Sequence, residues 1–166
     1  MNMFKFFPLV VVLALMLPSA TEVLAKAKAQ EPEGYIVLAE NENGTGDTCR
    51  LPIVTDYFNM KYHGCKNDQM SFFRLESVPS ATIIGFYSDY DCPEFDSPAP
   101  MWRYKIRTYI ELTDTRFISI ERELNTANPG DIVVKGVRME YKYHSGGQIK
   151  GKLSCVRIWK SDIVTP

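Results

Sequence analysis

The most constraining feature of the chain is a strict alternation of side-chain character over residues 102–112. The two alternating sets are Trp102, Tyr104, Ile106, Thr108, Ile110 and Leu112, and Arg103, Lys105, Arg107, Tyr109 and Glu111. Successive side chains of a strand point to opposite faces of a sheet, so this period of two predicts a half-buried antiparallel strand over 102–112. Residues 137–144 alternate in the same way and predict a second such strand.

The rest of the chain also favours strands over helices. Runs rich in β-branched and aromatic residues predict strands at 34–39, 52–58, 70–75, 81–87 and 152–159. Loops rich in Asn, Asp, Gly and Pro separate some of them, notably 41–47 and 88–100. Only residues 120–127 are predicted to form one or two helical turns. Many short strands with such loops predict an all-β sandwich or barrel-like domain.

The N-terminal residues have the pattern of a secretory signal peptide. Lys5 precedes an apolar run over residues 6–17, and Val23 and Ala25 supply the positions read by a signal peptidase. The run is shorter than the roughly 20 residues that a membrane-spanning helix needs. We therefore predict a signal peptide at 1–25, a flexible mature N-terminus at 26–34 and a single all-β domain at 35–166. The protein is expected to be exported, periplasmic or secreted, without a membrane anchor.

The charge balance limits the class of partner. The formal net charge of the chain is −1. A domain that binds nucleic acid normally carries a strong basic excess. We therefore expect a protein partner and no nucleic acid.

All four cysteines, Cys49, Cys65, Cys92 and Cys155, lie after the predicted signal peptide. An even number of cysteines in an oxidising compartment predicts two disulfides. Of the three possible pairings we favour Cys49–Cys65 with Cys92–Cys155, and the other two stay open. No C-x2-C pair is present, which argues against a zinc site.

Two segments of the sequence resemble each other. The first contains Lys61-Tyr62-His63-Gly64 followed by Ser71-Phe72-Phe73-Arg74, and the second contains Lys142-Tyr143-His144 followed by Ser154-Cys155-Val156-Arg157. Each combines K-Y-H and a glycine turn with an S-x-x-R strand. A duplicated structural unit is one explanation, and chance similarity of short motifs is the other.

The first segment also resembles a known family. Asn67-Asp68-Gln69-Met70-Ser71-Phe72 is similar to the (N/D)-(N/D)-x-x-(S/T)-S stretch of the βγ-crystallin Greek-key motif, although Phe72 stands where the second Ser belongs. Residues 85–91 resemble the start of a following Greek key, and the resemblance covers mainly 53–91. It implies an all-β Greek-key sandwich, βγ-crystallin-like, which in this chain would be disulfide-bonded and would follow a signal peptide.

The same resemblance raises the possibility of a calcium site. In that family the Asn/Asp pair and the Ser can bind calcium, which implies Asn67, Asp68 and Ser71 as ligands here. In the second segment Lys150-Gly151 replaces the acidic pair, so too few oxygens are offered. A tight turn is the competing explanation of these residues, because Asn and Asp bond their own backbone. We expect no cofactor, with calcium as a weak alternative.

The chain carries no recognisable catalytic motif. Its two histidines, His63 and His144, both lie beside predicted turns, and no G-x-S-x-G, H-E-x-x-H or phosphate-binding glycine loop occurs. The cysteines are predicted to be oxidised, which removes them as nucleophiles. We therefore predict a protein that is not an enzyme.

The long loop between the strands at 81–87 and 102–112 is the predicted partner-binding face. It mixes aromatic and acidic side chains, and aromatic residues are common interface anchors. The predicted contact residues are Tyr87, Asp89, Tyr90, Asp91, Glu94, Phe95 and Trp102.

These features lead to one main functional hypothesis and two alternatives. The main hypothesis is an exported, non-enzymatic binding protein, an inhibitor or immunity-type protein that neutralises an envelope or secreted enzyme. The first alternative is a structural or calcium-stabilised crystallin-like envelope protein. The second is a glycan hydrolase that uses a pair of carboxylates.

Overall fold

The computed structural model describes residues 34–94 and 100–161. In these ranges the chain forms ten β-strands in two sheets and one turn of π-helix. The predicted all-β sandwich is therefore confirmed. The predicted signal peptide (1–25), most of the predicted flexible N-terminus (26–33) and Phe95 lie outside the described residues. None of the described helices is long and apolar enough to cross a membrane.

The strands are short, as the sequence predicts. They are β1 (Tyr35–Ala39), β2 (Thr48–Pro52), β3 (Asp56–Asn59), β4 (Phe72–Glu76), β5 (Ile83–Tyr87), β6 (Trp102–Thr108), β7 (Ile118–Ser119), β8 (Ile132–Val134), β9 (Val137–His144) and β10 (Cys155–Trp159). The helical turn, Ile120–Leu124, lies inside the predicted helical segment. Its first turn is capped by the Ser119 hydroxyl, which accepts a hydrogen bond from the Arg122 N–H at 3.1 Å.

The two sheets have the orders β2-β1-β4-β7 and β3-β10-β5-β6-β9-β8, and the paired strands are antiparallel. In the first half, β4 returns to lie beside β1 while β3 joins the opposite sheet, which is a Greek-key connection. The second half repeats this arrangement, because β10 lies beside β5 while β7 joins the first sheet. Each sheet therefore contains one strand from the other half of the chain.

This topology separates the two parts of the internal similarity. The S-x-x-R segments lie at equivalent places, in and just before β4 and β10. The K-Y-H segments do not, since Lys61-Tyr62-His63 follows β3 whereas Lys142-Tyr143-His144 ends β9. The similarity at the S-x-x-R strands thus coincides with a repeated structural unit, and that at K-Y-H does not.

Two predicted strands needed correction. The predicted strand 102–112 ends at Thr108, because Leu112 has a positive φ of 53° and a side chain that is 56% exposed. The predicted strand 52–58 begins too early, since only Pro52 belongs to β2, residues 53–55 carry the chain from one sheet to the other, and β3 starts at Asp56. Residues 48–51 of β2 were not predicted as a strand. Strands β7 and β8 were not predicted either, because they are too short to show a period.

The core lies between the sheets. Phe73 on β4 and Phe86 on β5 meet across it with ring centroids 4.6 Å apart. Trp102 and Tyr104 stack at 5.3 Å on the inner face of β6, where Ile106 is also fully buried. The even-numbered residues of β6 thus face the core, as the alternation predicts.

Both disulfides of the favoured pairing are present. Cys49–Cys65 joins β2 to the loop after β3, and Cys92–Cys155 joins the loop after β5 to the start of β10. No cysteine remains free.

Candidate functional site

The loop that follows β5 packs on the outer face of the six-stranded sheet. This loop, residues 88–94 in the described part, covers Tyr87 and Arg103, whose side chains point away from the core but are buried. Arg103 donates from Nη1 to the backbone oxygens of Pro93 (2.9 Å) and Glu94 (2.8 Å). The Cys92–Cys155 disulfide adds a covalent bond between the loop and β10. The loop is therefore fixed to the sheet at several points.

Glu94 makes the charged contacts of this anchor. Its carboxylate accepts hydrogen bonds from the Tyr87 hydroxyl (2.5 Å) and from Lys105 Nζ (2.6 Å). Arg157 Nη1 lies 3.8 Å from the same carboxylate. One acidic side chain of the loop thus meets side chains from β5, β6 and β10.

The surroundings of Glu94 keep it ionised. Burial of the carboxyl opposes ionisation, but the hydrogen bonds from Lys105 and Tyr87 and the charges of Lys105 and Arg157 outweigh it and hold the pKa of Glu94 below its ordinary value. Burial, and then the hydrogen bond to Glu94, raise the pKa of the Tyr87 phenol. The pair therefore consists of a carboxylate acceptor and a neutral phenol donor at neutral pH.

The end of the loop is exposed and acidic. Asp89, Tyr90 and Asp91, which we call the acidic tip, are all exposed, and Tyr90 is 48% exposed. The Tyr90 hydroxyl accepts a hydrogen bond from Asn67 Nδ2 at 3.2 Å, which ties the tip to the neighbouring loop. The acidic tip presents one aromatic side chain between two carboxylates.

Three residues of the predicted partner-binding face need correction. Tyr87 and Trp102 are fully buried, the first under the loop and the second in the core, so neither can contact a partner in this conformation. Glu94 is occupied by its contacts with the sheet. The predicted face is reduced to Asp89, Tyr90 and Asp91, with Phe95 outside the described residues. The alternation in sequence had already predicted that Trp102 lies on the apolar side of β6. That pattern was the better guide to its burial than its position next to the loop.

The residues of the predicted calcium site lie against the loop that precedes β10, in a reciprocal arrangement. The Ser71 hydroxyl accepts a hydrogen bond from the Gly151 N–H at 2.9 Å. In the equivalent contact the Ser154 hydroxyl donates to Asp68 Oδ1 at 3.3 Å. Asp68 has a φ of 55°, which Asp tolerates better than most residues. Turn geometry and loop pairing account for these side chains.

The oxygen atoms of Asn67, Asp68 and Ser71 do not form a suitable calcium site. Lys152 Nζ lies 3.8 Å from Asp68 Oδ2, so a cation of the chain already faces the one carboxylate, and Gly151 offers none in the equivalent position. Asn67 Oδ1 is buried and has no hydrogen-bond partner among the described residues, but one amide oxygen leaves the set far short of the six to eight that calcium takes. Within 34–94 and 100–161, no three His, Cys, Asp or Glu side chains form a group that could hold a metal ion.

The two histidines are far from a catalytic arrangement. His63 packs edge-on against Phe58, with ring centroids 5.2 Å apart, and His144 Nε2 lies 3.4 Å from the Gly147 carbonyl oxygen. Neither makes a hydrogen bond to a described serine or carboxylate, which a nucleophile–base pair requires.

A groove on the outer face of the six-stranded sheet was not predicted from the sequence. Its volume is about 520 Å³, and its walls are Ile83, Glu94, Lys105, Glu140, Tyr141 and Trp159. These residues come from four strands and one loop, and only strand register brings them together. The charged odd-numbered positions of β6 were its one signal in the sequence.

Neither the protein-family models nor the curated proteins contain a match. Among solved structures, a double mutant of a βγ-crystallin domain from Clostridium beijerinckii is similar to this chain, with 16% identity and a TM-score of 0.39. The match covers 76% of this chain and 98% of that one. The solved domain comes from the family that residues 53–91 resemble, and the Greek-key sandwich described above is βγ-crystallin-like.

Proposed function

We propose that this protein is an exported, non-enzymatic binding protein of the inhibitor or immunity type, which neutralises an envelope or secreted enzyme. The observation that carries the proposal is the acidic tip, an exposed aromatic-acidic segment held on a loop that is anchored to the sheet. A partner with a basic cleft is the target that its charge favours.

Anchoring of the loop supports the proposal through its effect on binding entropy. A mobile loop loses conformational freedom when it binds, and this loss subtracts from affinity. Here the Cys92–Cys155 disulfide and the hydrogen bonds of Arg103 and Glu94 fix the base of the loop before any partner arrives. Functional loops on rigid β scaffolds are a common arrangement.

The chemistry of the acidic tip supports a basic partner. Asp89 and Asp91 add two negative charges on either side of Tyr90. Opposite charges on two proteins accelerate their encounter and orient it, while a central aromatic side chain supplies the apolar contact. A wall-degrading enzyme with a basic cleft has the complementary charge.

The ionisation of the groove carboxylates Glu94 and Glu140 supports a non-enzymatic role. Glycoside hydrolysis by a carboxylate pair requires one carboxyl that keeps its proton near neutral pH. The pKa of Glu94 is lowered as described above, and the hydrogen bond from Arg107 lowers the pKa of Glu140 against a smaller effect of burial. Neither groove carboxylate suits the role of proton donor.

The two disulfides support export, since such bonds persist in oxidising compartments. An exported protein would meet envelope and secreted enzymes.

Capture from an exported-protein fraction tests the proposal. The mature protein would be immobilised beside two variants, Tyr90→Ala and Asp91→Lys, and bound proteins would be identified by mass spectrometry. Tyr109→Ala is a matched control, because Tyr109 is 45% exposed and lies beyond the other end of β6. We expect one enzyme to be retained by the wild type and by Tyr109→Ala, to be depleted with both tip variants, and to lose activity on binding. Retention of no enzyme, or undiminished activity of the retained one, would contradict the proposal.

A further inference from the structure

Strand register gathers basic and aromatic side chains on the outer face of the six-stranded sheet. Arg157, Gly85, Lys105 and Tyr141 are successive register partners across β10, β5, β6 and β9. A second, parallel row crosses the same four strands two residues further along β10, β5 and β6. Its successive register partners are Trp159, Ile83, Arg107 and Arg138. The two rows contain four cations and two of the larger aromatic side chains of the chain.

Aromatic rings cover part of the outer face around the groove. A Cβ on Gly85 would lie 2.7 Å from Cε2 of the Tyr87 ring, so the ring lies directly over that glycine. Lys105 Nζ is 4.7 Å from the centroid of the Trp159 ring and 6.0 Å from that of Tyr141. The Arg157 guanidinium lies 4.9 Å from the Trp159 centroid. Aromatic rings thus hold these cations at the surface of the sheet.

Each carboxylate of the groove is shared by two cations. Glu94 is bonded by Lys105 and lies 3.8 Å from Arg157. Glu140 accepts two hydrogen bonds from Arg107, at 2.9 and 3.1 Å, while Arg138 lies 3.6 Å from it. Lys105 and Arg107 are therefore the tightly bonded members of the two sets.

Arg138 and Arg157 keep most of their hydrogen-bonding capacity for other acceptors. Their ion pairs, at 3.6 and 3.8 Å, are longer than a hydrogen bond, and their side chains are 46% and 37% exposed. They lie on β9 and β10, three strand spacings apart, or about 14 Å in a regular sheet. These two guanidinium groups lie next to residues of the groove wall, Arg138 beside Glu140 and Arg157 beside Glu94. They suit an extended ligand that carries several negative charges.

We propose that this groove binds an acidic polysaccharide, with Arg138 and Arg157 bonding its carboxylate or sulfate groups and Tyr141 and Trp159 lining the path of its sugar rings. Guanidinium groups bond such planar or tetrahedral anions through paired donors. The volume of about 520 Å³ is within the range of small-ligand sites. The site is separate from the acidic tip and opposite in charge, so the protein would be held at an anionic glycan while the tip stays available.

A polysaccharide is favoured over nucleic acid by the charges around the groove. The phosphodiester backbone of single-stranded DNA has no hydroxyl group that could donate to the two carboxylates at the groove walls, Glu94 and Glu140. Sugar hydroxyls can instead donate to these carboxylates. An acidic polysaccharide therefore offers anions to the arginines and hydroxyl donors to the carboxylates.

Affinity electrophoresis tests the proposal with defined probes: polygalacturonate, heparin, neutral dextran and single-stranded DNA. The mature protein is expected to be retarded by polygalacturonate or heparin, less so at higher salt, and not by dextran. The double variant Arg138→Gln/Arg157→Gln should bind the acidic probe at least tenfold more weakly, whereas Arg138→Lys/Arg157→Lys should keep part of the affinity. Arg50→Gln is the matched control, because Arg50 is an exposed, ion-paired arginine on β2 of the other sheet.

Several results would overturn the proposal. The first two are retardation by dextran equal to that by the acidic glycans, and no retardation by either acidic glycan. The third is unchanged glycan binding by the Gln double variant when its melting temperature is also unchanged. The fourth is tighter binding of single-stranded DNA than of both glycans. If the Gln double variant unfolds, the affinity of the Lys double variant for the acidic glycan is compared with that of the Arg50→Gln control. An equal loss of affinity in both would contradict binding at Arg138 and Arg157. The acidic-tip variants should bind the glycans as the wild type does, which separates this site from the proposed enzyme-binding function.

Discussion

Glu94 in the loop after β5 accepts a hydrogen bond from Lys105 on β6 at 2.6 Å, and this contact joins the acidic tip to the sheet. The side chains of both residues are largely buried. An ion pair in such a place is costly to break, because the remaining charge loses its partner and does not regain full hydration.

The first prediction concerns Glu94→Gln and acid. We expect the substitution to lower the free energy of unfolding at pH 7 by about 1–3 kcal/mol, the usual cost of losing a hydrogen bond between charged groups. Because the folded state lowers the pKa of Glu94, its contribution is present above the ordinary carboxyl pKa and is lost as pH falls through the lower folded value. Urea denaturation at pH 7 and pH 3 should therefore show a smaller acid effect in the variant than in the wild type.

Asp91→Asn is the control for that comparison. Asp91 is exposed in the same loop, so its substitution should change stability by less than about 0.5 kcal/mol. Equal unfolding free energies of wild type and Glu94→Gln at pH 7 would show that the ion pair does not stabilise the fold.

A second prediction separates the two disulfides. Their sequence separations are 16 residues for Cys49–Cys65 and 63 residues for Cys92–Cys155. A cross-link that closes a longer loop removes more entropy from the unfolded chain, so replacing both cysteines of a pair by Ala should cost about 3 kcal/mol for the first and about 4 kcal/mol for the second. Denaturation of the two double variants measures this difference, and a larger loss from Cys49–Cys65 would reverse the order.

The third prediction concerns calcium. Since Lys152 faces Asp68 and the paired loop offers no second carboxylate, millimolar calcium should raise the melting temperature only weakly, if at all. Domains of 60–100 residues shift by roughly 4–8 °C per kcal/mol and those of 150–250 residues by about 2–4 °C. An increase above about 10 °C in differential scanning calorimetry would therefore show that calcium binds strongly. The variant Lys152→Gln should respond to calcium more than the wild type does.

A fourth prediction follows from Gly85. A methyl group at this position would lie 2.7 Å from the buried Tyr87 ring, which the hydrogen bond to Glu94 holds in place. Gly85→Ala should therefore destabilise the protein by about 1–3 kcal/mol, as overpacking usually does. Thermal unfolding checks this. In a Tyr87→Ala background, which is itself destabilised by loss of a buried ring, Gly85→Ala should cost clearly less if the ring is the cause. A stability of Gly85→Ala equal to that of the wild type would show that the ring moves aside freely.

The fold was predictable where one face of a strand is buried. The alternation over 102–108 reports the core directly, because Trp102, Tyr104 and Ile106 fill it. Beyond Thr108 the apolar Leu112 continued the pattern by sequence alone, although a positive φ turns the backbone there. Strands of two or three residues, such as β7, have no period to detect.

The candidate site was predictable only in part. Loop composition identified the acidic tip, because Asp89, Tyr90 and Asp91 are adjacent in sequence. Burial of Tyr87 was not predictable, since it depends on the loop that folds back over it. The outer-face groove depends on register among β10, β5, β6 and β9, which no local pattern encodes.

The proposed role of the acidic tip is to bind an exported enzyme. Isothermal titration of the captured enzyme with wild type, Tyr90→Ala and Asp91→Lys tests it most directly, with Tyr109→Ala as control and thermal unfolding to show that each variant is folded. Each tip variant should weaken binding by at least about 1 kcal/mol, while the control binds as the wild type does. If both tip variants bind as tightly as the wild type, the binding face lies elsewhere and the account is contradicted.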